Sequence, residues 1–393
     1  MQYWPAIFVF SCFIVIYNYA GYAVIAYIAN KLRGSSQKRG EEGTAFPTVS
    51  FIVAAFNEED FIEKKILNSL AQDYPAERLE YIFITDGSTD RTPDIIRGYP
   101  SLQLLHQPER KGKSDAINRA VQMARHDILI FSDANTTLNK EATRHISRHY
   151  QAKDTGGVAG EKKVIAEEGS SDEVGGGEGL YWKYESFLKK IDSDFYSVVG
   201  AAGELFSIRR DLYQPLPGNI ILDDFVISLR TAEKGFRIIY EPDAYAMESP
   251  SFSIKDEKKR KIRIAAGGFQ SIGILSSLLA FWRHPRLSFL YISHRVLRWT
   301  LSPLCLILAL ISNIILAAGT DNTLYRLLAG GQLLFYGMAA IAAFLPPAKR
   351  PKLFKLPYYF TFMNISVILG FFRFLRGGQS AVWEKARRVQ PTI

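Results

Sequence analysis

The sequence predicts an α/β protein: a doubly wound, mostly parallel sheet in a polar domain set between membrane and interfacial helices. Three observations carry this. Met1–Asn30, Trp299–Thr320 and Leu327–Ala348 hold no charged side chain, and each is long enough for a hydrocarbon core that needs roughly 20 helical residues. Residues 49–132 alternate short buried-strand runs with helical periodicity. Polar groups stand at the ends of successive strands.

Met1–Asn30 has no basic residue before its apolar part and is too long for a cleaved leader, so it is expected to stay as an anchor. Lys31, Arg33, Lys38 and Arg39 follow it, and Lys349, Arg350, Lys352 and Lys355 follow the third apolar run. Cytosolic loops carry such excess, so the polar domain is expected on the cytosolic side, with the plasma membrane as its site. The formal charge is +9. Its basic residues cluster beside apolar runs, which points to anionic lipid and away from nucleic acid. Cys12 and Cys305 both lie in apolar runs, without disulfide or metal spacing. Ile264–Trp282 and Leu356–Phe372 are uncharged but flanked by cations at both ends. Both are expected to be interfacial or re-entrant. The organisation is an anchor at 1–30, the α/β domain at 46–250, basic interfacial helices at 251–298, two membrane helices at 299–348 and a basic segment at 349–393.

Within the domain, Val49–Ala55, Tyr81–Thr85, Leu102–Leu105 and Asp127–Ser132 read as buried parallel strands. Glu59–Ala71 reads as a helix with Phe61, Ile62, Ile66, Leu67 and Leu70 on one face, and Thr92–Arg97 and Ser114–Arg125 as two more. Gly169–Gly179 reads as a mobile loop. Ligands of such sheets bind beyond the carboxyl ends of the strands. Asn57-Glu58 follows the first strand, Asp86-Gly87-Ser88-Thr89-Asp90 the second, and Asp133-Ala134-Asn135 the fourth. Each alone suits a turn or cap; three at one rim favour a polar ligand site.

These residues, with Gly112-Lys113, Asn118, Gly200-Ala201-Ala202-Gly203, Asp223-Asp224 and Gly235-Phe236-Arg237, resemble the family-2 glycosyltransferases of GT-A fold. The flanking helices resemble the group of cellulose, hyaluronan and poly-N-acetylglucosamine synthases. The resemblance implies a nucleotide-sugar donor, a UDP-sugar, held by Ala54, Asn57, Glu58, Asp86, Lys113, Asp133 and Arg263, with Glu58 and Asp86 on the uridine. It places Gly203, Glu204 and Asp223 on the acceptor side, and makes Asp224 the base that deprotonates the acceptor hydroxyl in an inverting transfer. It implies Mg²⁺ or Mn²⁺ at Asp133 and Asn135, weakened because Asn135 offers an amide where the family has a second carboxylate.

The family's Q-x-x-R-W motif is also altered. At the expected distance stands Arg260-Lys261-Ile262-Arg263-Ile264, which keeps only Arg263. Arg295-Val296-Leu297-Arg298-Trp299 has the Arg-Trp pair but reads as a membrane-interface anchor. The expected acceptor is a polysaccharide or glycolipid among membrane lipids. The alternatives are a single addition onto a lipid-linked acceptor and, more remotely, a non-catalytic membrane scaffold or transporter subunit.

Overall fold

The computed structural model describes residues 2–34, 46–164, 175–249, 254–346 and 349–377. Lys38, Arg39, residues 169–174 of the Gly-rich stretch, Lys385, Arg387 and Arg388 lie outside them. The other half of that stretch, expected as loop, instead opens a helix at Gly175.

The chain begins as one continuous helical run: α1 (Trp4–Ile16), a π turn (Tyr17–Gly21) and α2 (Tyr22–Arg33). The apolar stretch of this run is 29 residues; at 1.5 Å per residue it is about 44 Å long, more than a hydrocarbon core of about 30 Å requires. Its two halves have different partners, as the later helices show.

Next come β1 (Val49–Ala55), α3 (Ile62–Leu70), β2 (Leu79–Asp86), α4 (Thr92–Arg97), β3 (Gln103–Gln107), α5 (Lys113–Met123) and β4 (Ile128–Asp133). β1 pairs in parallel with β2 and β4, and β2 with β3. Both faces are covered. Ile52, Ile82 and Leu129 meet Ala116, Ile117 and Ala120 of α5, while Phe51, Val53, Phe83 and Ile130 meet Ile62 and Ile66 of α3. Burial on both faces explains the continuous apolar runs. In α3 the buried stripe is Ile62, Lys65, Ile66 and Ser69, and Leu67 is exposed, so the helix is rotated from its expected apolar face.

The second half departs from a mostly parallel sheet. β5 (Thr137–Leu138), α6 (Ala142–Ser147), β6 (Thr155–Val164), α7 (Gly175–Phe195), β7 (Leu205–Arg209), α8 (Asp223–Glu233) and β8 (Arg237–Glu248) follow. The eight strands form one mixed sheet in the order β3-β2-β1-β4-β7-β6-β8-β5. β7 runs antiparallel to β4 and β6, whereas β6 and β8 are parallel. The β6–β8 register shifts at Gly160/Glu161, opposite Pro242, which cannot donate to a ladder.

After the sheet come α9 (Ile254–Ile274), α10 (Pro285–Tyr291), a π turn (Ile292–Val296), α11 (Leu297–Trp299), α12 (Leu301–Gly319), α13 (Thr323–Phe344) and α14 (Lys352–Leu375). Among the described residues four helical stretches are long and apolar enough to cross a membrane: Trp4–Leu32, Leu301–Gly319, Thr323–Phe344 and Lys352–Leu375. Phe8 of α1 packs with Ala309 and Leu316 of α12. Tyr22, Ala23 and Ala26 of α2 pack instead on Leu188 and Ile191 of α7, where Asn30 donates to the Ile191 carbonyl at 3.2 Å. α14 lies along α9: Phe269 meets Phe371 with ring centroids 5.1 Å apart, and a Cβ on Gly370 would come within 2.5 Å of the Ala265 Cβ.

Candidate active site

A cavity of about 1860 Å³ runs from the carboxyl rim of the sheet to α9, α14 and the π turn of residues 292–296. The first turn of α8 forms part of its wall, and there Asp223 and Asp224 stand at the helix N-terminus, a position that favours negative charge. Asp224 Oδ1 accepts the N–H of Phe225 at 2.8 Å. Burial pushes the Asp224 carboxyl up to about 7, and the neighbouring Asp223 adds to this against the opposing pull of Lys113. A carboxylate so placed takes a proton near neutral pH. Asp223 is buried, and its Oδ2 has no hydrogen-bond partner among the described residues.

Two glycines keep this turn open. Gly200 has φ of +85°, and a Cβ there would lie 2.1 Å from Phe225 Cδ2. A Cβ on Gly203 would lie 3.3 Å from Asp224 Oδ2 and 3.4 Å from Lys113 Nζ.

Lys113 opens α5 and joins the acids. Its Nζ donates to Asp133 Oδ1 at 2.8 Å and lies 3.6 Å from Asp223 Oδ2. Burial alone would lower its pKa; Asp133, Asp223 and Asp224 outweigh it and hold the ammonium charged. Asp133 ends β4 and lines the cavity with Asn135. Burial raises the Asp133 pKa, Lys113 opposes this, and Glu204 adds to the rise. Behind this loop the buried Lys65 donates to Ser132 Oγ at 2.6 Å and to the Thr136 carbonyl at 3.1 Å.

Ala54, Glu58, Lys113, Asp133, Asn135, Gly203, Glu204, Asp223, Asp224 and Arg263 all line the cavity. Asp86, expected on the uridine, stands behind this wall. Asp86 is fully buried, and its two oxygens accept the N–H groups of Lys111 and Gly112, each at 2.8 Å. It therefore shapes the loop that presents Arg110 and Lys113. Asn57 is likewise off the wall: with φ of 52°, it accepts the Thr89 N–H at 2.8 Å and fixes the β1 end to the next loop. Arg110, on the wall, covers the Phe56 ring 3.6 Å from its centroid. The Glu204 Oε1 accepts from Lys162 at 2.5 Å; burial would raise this carboxyl, but Lys162 outweighs it and lowers the pKa.

The Arg295–Trp299 segment is more than an interface anchor. Arg295 and Arg298 reach Glu185 of α7 at 3.0 and 2.5 Å. Trp299 tilts against Phe225, next to Asp224, with centroids 5.4 Å apart. All four line the cavity, as do Trp182 and Lys189. No strand-end or motif signal marked Glu185, Trp182 or Lys189, because α7 enters the site from beyond the parallel half of the sheet.

Residues 50–216 match the Glycosyl transferase family 2 model. Among curated relatives, the poly-beta-1,6-N-acetyl-D-glucosamine synthase of Staphylococcus aureus is 24% identical over 281 residues, 69% of this chain. The match spans 66% of that relative's length, just under two thirds. A beta-monoglucosyldiacylglycerol synthase of Synechocystis is 34% identical over 129 residues, 31% of this chain and 27% of its own. Among solved structures, a mannosyltransferase of Pyrobaculum calidifontis in complex with GDP-Man and Mn²⁺ superposes with a TM-score of 0.70 at 21% identity, covering 95% of this chain and 99% of that one. The fold is therefore GT-A, and residues 50–216, which carry the strand-end loops of the cleft, are similar to the glycosyl transferase family 2 domain.

Proposed function

We infer that the chain is an inverting glycosyltransferase with its catalytic domain at the cytosolic face of a membrane, the plasma membrane by the sequence expectation. It moves a sugar from a nucleotide-sugar to the hydroxyl of a polysaccharide or glycolipid acceptor. The observation that carries this is Asp224: a carboxylate raised to about 7, on a helix N-terminus, in the wall of a cavity that the strand-end loops and the later helices line together. As the acceptor oxygen bonds to the anomeric carbon, its proton passes to Asp224. The bond from that carbon to the diphosphate oxygen breaks on the opposite face, and a nucleoside diphosphate leaves. Lys113 stays charged beside the leaving group.

The donor end suits a divalent cation. Six acids and two cations line it, and the buried Asp223 Oδ2 lacks a hydrogen bond. Among the described residues no cluster of three His, Cys, Asp or Glu could hold a metal unaided. Asp133 and Asn135 would hold Mg²⁺ or Mn²⁺ together with donor oxygens, and such a cation neutralises diphosphate charge. The expected base is uridine, with Glu58 at the wall and Asp86 behind it as the acidic residues of that end. A donor screen preferring a GDP-sugar overturns that part alone.

The test is Asp224→Asn in the full chain, assayed by sugar incorporation. The expected result is a kcat lower by roughly 10²–10⁴-fold with donor KM little changed. Full transfer by the variant overturns the reading and reinstates a scaffold or transporter subunit. A ladder of product lengths marks a synthase; one added sugar marks a single-addition transferase.

A further inference from the structure

The cavity is electrically divided. Against the acid-rich donor end, the half built by α7, the end of β8, α9, residues 295–299 and α14 carries nine basic side chains and three acidic ones. Four of the nine are answered inside the protein: Arg295 and Arg298 by Glu185, Arg260 by Glu248 and Glu257, and Lys261 by Glu257. Lys189, Arg263 and Arg373 are among the rest, while Lys113 and Arg110 already stand at the donor end. Lys189 is 2% exposed, lines the cavity, and its ammonium has neither hydrogen bond nor ion pair among the described residues. The Trp182 and Tyr240 rings lie 5.8 Å away from it. Arg263 and Arg373 also line this half, and burial lowers the Arg263 pKa. Glu161, Glu204 and Glu185 act on Lys189 only from beyond ion-pair distance, and a buried ammonium without a hydrogen bond is costly, so an anion bound there would relieve it. The same wall continues onto Phe360, Met363 and Val367 of α14 and Tyr19 of the π turn after α1, where Tyr19 meets Phe360 at 5.1 Å and donates to Asn364 at 3.0 Å.

We propose that this basic half binds the phosphate of a membrane lipid that carries the acceptor sugar, with Lys189 and Arg373 among the groups that read it. The proposal rests on Asp224 as base. A phosphate oxygen is already ionised near neutral pH and needs no base. The phosphate is therefore the handle, and a sugar hydroxyl beyond it is the nucleophile. That hydroxyl gives its proton to Asp224, its oxygen bonds to the anomeric carbon of the donor, and the nucleoside diphosphate leaves with the broken bond's electrons.

The experiment uses the purified full chain in uncharged detergent. Its probes are dodecyl-phospho-N-acetylglucosamine, the neutral dodecyl N-acetylglucosaminide and inorganic phosphate, with binding and sugar acceptance measured separately. The phospho compound is expected to bind roughly tenfold tighter than the neutral one, the scale of a charged hydrogen bond, and to accept the sugar. Lys189→Met or Arg373→Met should remove that preference, and Lys189→Arg should keep it. Should Lys189→Met fail to fold, Arg373→Met on the edge of α14 carries the test. Equal binding of the two amphiphiles overturns the proposal. So does inorganic phosphate competing as well as the phospho compound, since the lipid would then be irrelevant. Loss of nucleoside diphosphate binding in variants that melt like the parent also overturns it, assigning these cations to the donor. Asp224→Asn should bind the phospho compound normally. Transfer retained by that variant defeats the base assignment, while the binding preference stands or falls by itself.

Discussion

Asp224 gains its basicity from place rather than from any unusual partner. Burial and the Asp223 charge raise it to about 7, and Lys113 keeps it from rising further. The sign follows: the base works deprotonated, so kcat/KM should climb with pH, about tenfold per unit below about 7, and level off above it. A pH–rate profile flat from 5 to 8 would contradict this. Gly200 is the residue that lets Asp224 sit there. At φ of +85°, with Phe225 Cδ2 only 2.1 Å from where a Cβ would be, Gly200→Ala adds left-handed strain and a clash together. We expect a loss of about 3 kcal/mol of stability, seen as a lower melting temperature, with residual activity reduced further because Phe225 and the α8 turn move together.

At the scale of elements, the N-terminal half of the domain was legible because its physics is local. Parallel strands buried on both faces leave continuous apolar runs, and turns at their ends leave Asp, Asn and Gly. The four strands and three helices read between residues 49 and 132 therefore appear within a few residues of their expected bounds. What failed to show was tertiary. Asp86 ends a strand, and nothing in its local sequence announces that its oxygens also accept backbone N–H groups of the next loop. Lys65 hid inside a helical apolar pattern whose register it shifts, since a buried ammonium bonded to Ser132 and Thr136 carries no periodic signature. α7 could not be placed from sequence because its charges are answered a hundred residues later: Glu185 by Arg295 and Arg298, and Asp192 by His294 at 2.6 Å. This ion cluster ties the sheet domain to the entry of α12. Glu185→Ala strands two arginines, one of them 10% exposed, and should cost about 3–5 kcal/mol. A chemical or thermal melt in detergent checks it; an unchanged midpoint means the arginines are hydrated instead.

The whole molecule turns on how α14 lies against the membrane. By length and composition Lys352–Leu375 could cross, which would carry the basic end of the chain to the far side, against the distribution of Lys and Arg that orients such proteins. It packs on α13, where Phe335 meets Phe360 at 5.8 Å, and it also reaches the cleft, which is the ground for proposing that it is interfacial. Leu356 and Tyr359 near its start and Arg373 near its end line the same cavity as Asp224, and Phe371 and Phe374 both meet Phe269 of α9. A helix perpendicular to the bilayer would leave the domain's level within two or three turns; at 1.5 Å per residue, residues 356 and 373 would be about 26 Å apart in depth. A helix lying along the membrane surface would keep both ends at the cleft, as the lining residues require. The measurement is accessibility of a cysteine placed at the C-terminal Ile393 in a background with Cys12 and Cys305 replaced by alanine. In inverted membrane vesicles, which present the cytosolic face, a membrane-impermeant maleimide should label it as readily as a cysteine placed at Arg97 of the sheet domain. Labelling only in right-side-out vesicles would make α14 a fourth span and would separate Arg373 from the cavity it is proposed to serve.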